Sequence, residues 1–122
     1  MNRNWYATIL LAVLFLTLYG AGIYLDRNVQ ALTQQLDTAY SLAEAGNYRQ
    51  AQQVYEETAE QSAQSSTVWM LLVRRSLVDQ LNQTLATIPS YVSAENMADL
   101  AVETSRARAQ AQQIRASFFS WF

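Results

Sequence analysis

The sequence contains no cysteine, no histidine and no lysine, and only three glycines and one proline in 122 residues. Without cysteine there is no disulfide, thiol nucleophile or thiolate metal site, and the redox compartment is not encoded. Without histidine and lysine the usual base near neutral pH, the usual transition-metal ligand, the Schiff-base amine and the P-loop lysine are all missing. No cofactor is therefore expected. The eight basic residues are all arginine, scattered against ten acidic ones for a formal net charge of -2. That pattern offers no basic patch for a run of phosphates, so nucleic acid is not an expected partner. The scarcity of glycine and proline, in a chain rich in Ala, Gln, Glu and Leu, favours helix throughout.

What is present begins with an apolar run. From Trp5 to Leu25 the sequence reads WYATILLAVLFLTLYGAGIYL without a charge. As a helix it is about 32 Å long, against a hydrocarbon core of about 30 Å. Trp5, Tyr6, Tyr19 and Tyr24 lie where interfacial aromatics are expected, and Arg3 and Asp26-Arg27 close the segment. A buried core helix is the bland alternative, but a domain this small cannot surround a helix that is apolar on every side. A cleaved signal peptide is the sharper one. Cleavage after Ala21 would put Tyr19 at the minus-three site, which is unfavourable, whereas cleavage after Gly22 would put glycine at both key sites. The reading adopted is a retained anchor over residues 1–25, followed by a helical domain over residues 26–122. Orientation is weakly encoded, since Arg3 opposes Arg27 across the span. The initial amino group tips the N-terminus towards the cytoplasm and the helical domain outside it, in a bacterial cell membrane crossed once.

Beyond the span, Val29, Leu32, Leu36, Ala39, Tyr40 and Ala43 recur at three- and four-residue steps, one stripe on a helix that can continue the membrane helix unbroken. Ala45-Gly46-Asn47 predicts its end, with Asn47 as N-cap of the next helix. That second helix carries Ala51, Val54, Tyr55, Thr58 and Ser62 on one face and turns Glu56, Glu57 and Glu60 to water. The stretch LAEAGNYRQAQQVYEE looks like the middle of a tetratricopeptide repeat, but it occurs once, so it reads as an ordinary helical hairpin. Between Gln61 and Thr67 the run QSAQSST weakens the pattern and predicts a cap at Ser65, Ser66 or Thr67. A third helix follows, with Val68, Leu71, Leu72, Val78, Leu81, Leu85 and Ile88 as its stripe. Pro89 is expected to end it and to push Ile88 out of helical geometry. Ser93 with Asn96 suggests a capping box for a fourth helix, whose stripe is Met97, Leu100, Thr104, Ala107, Ala111, Ile114 and Phe118.

The expected fold is all-α: an N-terminal transmembrane helix and a small antiparallel bundle of about four helices. In that arrangement the C-terminal FFSWF returns to the bilayer, where its four rings gain roughly 6 to 12 kcal/mol on burial. Trp5, Tyr24, Phe118, Phe119, Trp121 and Phe122 are thus the candidate membrane-interface or docking residues. The alternative is that the rings only cap the bundle's base. A helix continuous through QSAQSST would instead carry the aromatic end away from the lipid.

The stretch WMLLVRRSLVDQLNQTLATIPSYV, with the anchor before it and a final helix after it, resembles a family of small bacterial membrane-anchored proteins, domain of unknown function 4363. The fitting positions are Trp69, Leu72, Val78, Asp79, Leu81, Leu85, Ile88, Tyr91 and Val92. A histidine commonly stands four residues before the Asp in that family. Arg75 occupies the place here, and Pro89 is a further departure. The resemblance implies an anchored helical fold and carries no established activity.

Arg75 and Asp79 are one turn apart and read as an exposed ion pair. Arg74 falls on the stripe of the expected third helix, where its guanidinium needs water or an acid such as Glu103. Arg74, Arg75, Asp79 and Tyr91 together are the candidate site for an anionic ligand. Asn82-Gln-Thr84 matches a glycosylation sequon, expected to be fortuitous. With no paired carboxylates facing a cleft, an enzyme is not expected. The expected role is a non-catalytic accessory protein whose bundle docks on an integral membrane partner or on its own copies, beside the lipid bilayer. A membrane-tethered sensor for a small anionic ligand is the alternative.

Overall fold

The structure, a computed structural model, describes residues 2–120. Four α-helices run in order, α1 Asn2–Glu44, α2 Tyr48–Leu72, α3 Arg75–Thr87 and α4 Met97–Phe119, and no strand occurs among the described residues. Two short 3-10 turns, Ile88–Tyr91 and Ala94–Asn96, join α3 to α4. Neighbours in sequence are neighbours in space, and α4 closes the ring against α1. This is an antiparallel bundle with up-down-up-down connectivity.

The first helix is a single rod of 43 residues, about 64 Å long. Its N-terminal half stands clear: Trp5, Leu10, Phe15, Leu16 and Tyr19 are all at least 63% exposed. Its C-terminal half is the bundle's first wall, with Leu25, Val29, Leu32, Leu36, Ala39 and Ala43 buried at the heptad-like spacing read from the sequence. The change comes at Gly22 and Leu25, inside the apolar run, so the bundle begins before the span has ended. Gly46 stops the rod. Its φ of +88° is the left-handed conformation that glycine adopts without a Cβ penalty, and the Asn47 N–H then bonds the Leu42 carbonyl.

Asn47 stands at the N-cap of α2, but its side chain makes no capping bond. The expected break at QSAQSST does not occur. The second helix runs through it for 25 residues, and its buried positions Ala51, Tyr55, Thr58, Ser62, Ser66 and Trp69 keep helical period without interruption. The stripe turns polar in the middle, which is why it reads as a gap. Ser66 Oγ donates to the Ser62 carbonyl at 2.7 Å, and Ser62 Oγ donates to Asn82 Oδ1 on α3 at 2.7 Å, so both hydroxyls are satisfied inside the bundle.

The true break lies at Val73 and Arg74, both extended. Val68 and Leu71, expected on the third helix's inner stripe, belong instead to the last turns of α2 and are 40% and 83% exposed. Because the turn falls there, a helix continuous through QSAQSST still leaves room for α3, and α4 returns to the apolar part of α1. The proline acts later than expected. Ile88 keeps helical angles (φ -55°, ψ -44°), and Pro89 tightens the chain into the first 3-10 turn. Ser93 does not complete a capping box: its hydroxyl is buried without a hydrogen-bond partner among the described residues. The inner stripe of α4 is as expected, with Leu100, Thr104, Ala107, Ala111, Ile114 and Phe118 buried and Met97 half-buried. Glu56, Glu57 and Glu60 face solvent.

Candidate site at the junction of the apolar helix and the bundle

Two ion pairs accompany the apolar stripe along the antiparallel contact of α4 with α1. Arg108 pairs with Asp37, and eleven residues earlier on α1 and seven later on α4 the Arg115 guanidinium meets Asp26. The upper pair is largely exposed and so contributes little. The lower pair is better sheltered, with side chains 45% and 30% exposed. Arg115 also stands 5.5 Å above the Phe119 ring, a cation–π contact. One guanidinium thus ties the last turn of α4 both to its own aromatic end and to the residue that follows the apolar span.

Next to this pair Gly22 of α1 meets the aromatic end of α4. A Cβ built on Gly22 would stand 3.3 Å from a Phe118 ring carbon and 3.4 Å from one of Phe119, so the bare α-carbon is what lets both rings lie against α1. The rings meet edge to face, centroids 5.3 Å apart at 87°. Phe118 is buried and Phe119 is 42% exposed. Between them and the projecting half of α1 is an apolar crevice of about 410 Å³, walled by Phe15, Leu18, Tyr19 and Ile23, with Asp26 and Arg115 at its rim. Chemically it can shelter an apolar chain or side chain. Its ionic rim is already paired, and no group of three His, Cys, Asp or Glu residues able to hold a metal ion occurs among the described residues.

The other candidates disperse. Trp5 and Tyr24 are exposed on α1, 68% and 42%, and Trp121 and Phe122 lie outside the described residues. Arg75 and Asp79 form the expected i,i+4 pair at 3.6 Å, with 80% and 49% of their side chains exposed. Tyr91, half-buried, closes the 3-10 turn beyond the far end of α3, the length of that helix, about 20 Å, from Arg75. These four residues therefore share no pocket. Arg74 is not on an inner stripe. It is the exposed N-cap of α3, and Glu103 pairs with Arg106 on its own helix instead.

The interior holds polar groups that the pattern of apolar residues did not reveal. Asn82, half-buried on α3, accepts from Ser62 and donates to Ser66 at 2.6 Å, so both ends of its amide are engaged with α2. Its sequon is thus incidental to a structural role. Thr58 donates to Gln35 at 3.0 Å, and Gln35 reaches Gln61 at 2.8 Å. Across the bundle's diagonal, Tyr55 and Thr104 share a 2.8 Å hydrogen bond. Burial pushes the Tyr55 phenol above its ordinary pKa, the Thr104 bond opposes that rise, and Tyr40 adds to it. The Trp69 indole, 1% exposed, fills the α1–α2 interface, and its N–H has no partner among the described residues. The Asp26–Arg115 and Asp37–Arg108 pairs do not follow from apolar periodicity, though opposite charges on antiparallel helices are a signal of both.

No curated protein and no solved structure matches this chain. A family model does, over residues 21–117, which takes in the bundle from the turn of α1 bearing Gly22 to the last turn of α4 and leaves most of the apolar run outside. By that match the chain belongs to the family described as Domain of unknown function (DUF4363).

Proposed function

We propose that this is a non-catalytic, single-pass membrane accessory protein, holding its bundle outside the cytoplasm and docking through the junction of α1 and α4 on an integral membrane partner or a second copy. The observation that carries the reading is the division of α1. One uninterrupted helix is long and apolar enough at its N-terminal end to cross a bilayer, and at its other end it is a wall of the bundle. A rod continuous through both parts fixes the bundle's height and direction relative to the membrane, which suits a scaffold. The exposed Phe119 edge and the apolar crevice beside it lie at that junction, where a neighbouring transmembrane helix would pass. The dispersal of Arg74, Arg75, Asp79 and Tyr91 is why this reading is preferred to an anionic-ligand sensor.

The test places the photo-crosslinker p-benzoylphenylalanine at position 119 of the full chain in its native membrane. A single adduct in near-stoichiometric yield, with one membrane protein or with a second copy, is the expected result. Adducts to lipid alone, with the protein otherwise monomeric, would overturn the docking role.

A further inference from the structure

The base of the bundle carries a second apolar feature, apart from the crevice. Leu71, 83% exposed, is the most exposed large hydrophobic residue among the described residues of the bundle. It sits in the last turn of α2, where a notch separates the α2–α3 turn from Ala116, Ser117 and Ser120 at the end of α4. That last turn of α4 in turn lies against Gly22 of α1. The bonds of Gln35 on α1 to Thr58 and Gln61 on α2 set the register of the two antiparallel helices, and counted along them Leu71 is within about one helical turn, roughly 5 Å, of the level at which the apolar run of α1 ends.

Charge is distributed in the same sense. Arg74 and Arg75 follow Leu71 in the turn, both exposed, and Arg74 has no acidic partner among the described residues. The opposite end of the bundle carries Glu44, Glu95 and Asp99 against the single Arg49. A leucine in water beside two arginines at headgroup height is the arrangement by which peripheral segments engage a lipid surface, apolar side chain inward and guanidinium groups on phosphate.

We propose that the α2–α3 turn is a second membrane contact: Leu71 enters the headgroup region of the bilayer that α1 spans, Arg74 and Arg75 bind the phosphates of anionic phospholipids, and α1 tilts towards that turn. The proposal rests on the membrane reading of α1 and adds to it the side of the bundle that faces lipid. A second consequence is that the junction crevice, on the face of α1 towards α4, stays available to a protein partner while the turn is held by lipid.

The absence of native cysteine makes single labels unambiguous. Spin labels are attached to Leu14→Cys, Leu71→Cys and Glu57→Cys variants of the full chain in vesicles of phosphatidylcholine with phosphatidylglycerol, and depth is read from accessibility to oxygen against a water-soluble nickel chelate. Position 14 is expected deep in lipid, 71 at headgroup depth and 57 in water. Removing phosphatidylglycerol, or introducing Arg74→Gln and Arg75→Gln, is expected to return the label at 71 towards water, lowering the ratio of docked to undocked forms about fivefold for each arginine. A Val68→Cys label, one turn earlier, gives an independent reading should the label at 71 disturb the turn. Labels at 71 and 68 in water with 14 in lipid would overturn the turn contact and leave the anchor standing. A label at 14 in water would overturn both. A label at 71 shielded from oxygen and nickel alike would overturn the lipid contact in favour of contact with a second copy.

Discussion

At the scale of single residues, the missing side chain of Gly22 and the buried phenol of Tyr55 are each matched to their surroundings. Gly22 and Gly20 are two positions apart on the same helix, yet only the first meets another element; nothing lies within 4 Å of a Cβ at Gly20. Gly22→Leu is therefore expected to push Phe118 and Phe119 off α1 and to raise hydrogen exchange in the last turn of α4, while Gly20→Leu leaves exchange there unchanged. Gly22→Ala is the intermediate case. The gain in helix propensity, about 1 kcal/mol, offsets rings that must give by only a few tenths of an ångström, so its stability should stay close to that of the unaltered protein. Tyr55 is sensitive in another way. Its folded-state pKa is raised by burial, so the core accepts the phenol and not the phenolate. The stability this supplies is complete below about pH 10, the pKa of an unfolded tyrosine, and is lost as pH rises past it. Urea denaturation in detergent at about pH 9 and about pH 11 should show a smaller loss for Tyr55→Phe than for the unaltered protein over that interval.

At the scale of elements, the boundary between α2 and α3 separates what periodicity reveals from what it hides. Apolar stripes at Val29–Ala43 and at Leu100–Phe118 were legible because a burial rhythm written in Leu, Val, Ala and Ile needs no partner to be recognised. The same rhythm in α2 passes through Thr58, Ser62 and Ser66, buried polar residues that meet Gln35 of α1 and Asn82 of α3 as well as carbonyls of their own helix. A serine with no visible partner reads as a turn, and so the break was expected seven residues early. The Asn82 amide makes that interior tolerable. Asn82→Ala strands the Ser62 hydroxyl in the α2–α3 interface, while Ser66 Oγ keeps its bond to the Ser62 carbonyl, and an unsatisfied buried hydroxyl costs about 1–3 kcal/mol. The expected outcome is a loss in that range by chemical denaturation, with helix content unchanged in the native baseline. Ser62→Ala, which removes the donor to Asn82 and leaves no buried hydroxyl behind at that position, should lose less.

At the scale of the whole molecule, the apolar N-terminal half and the bundle's first wall are one helix, but their contributions to stability are separable. The apolar half of α1 lends the bundle little, since the buried core starts at Leu25. Truncation to residues 23–122 is expected to keep a cooperative, helical thermal transition by circular dichroism. It should also self-associate or require detergent, because it loses the wall that covers Phe118. A truncated chain that is monomeric without detergent would show that the rings close the base unaided. The helix count, the end of α1 at Gly46, the exposed acidic face of α2 and the stripe of α4 were all determined by the sequence alone, because backbone propensity and the period of side-chain burial are local properties. Where α2 ends, which polar side chains lie inside, that Arg74 faces water and that Arg75 and Tyr91 stand a helix length apart were decided only by the tertiary structure. Each depends on a neighbour distant in the chain, and a hydroxyl or a guanidinium is placed by the partner it finds, which no single helix contains.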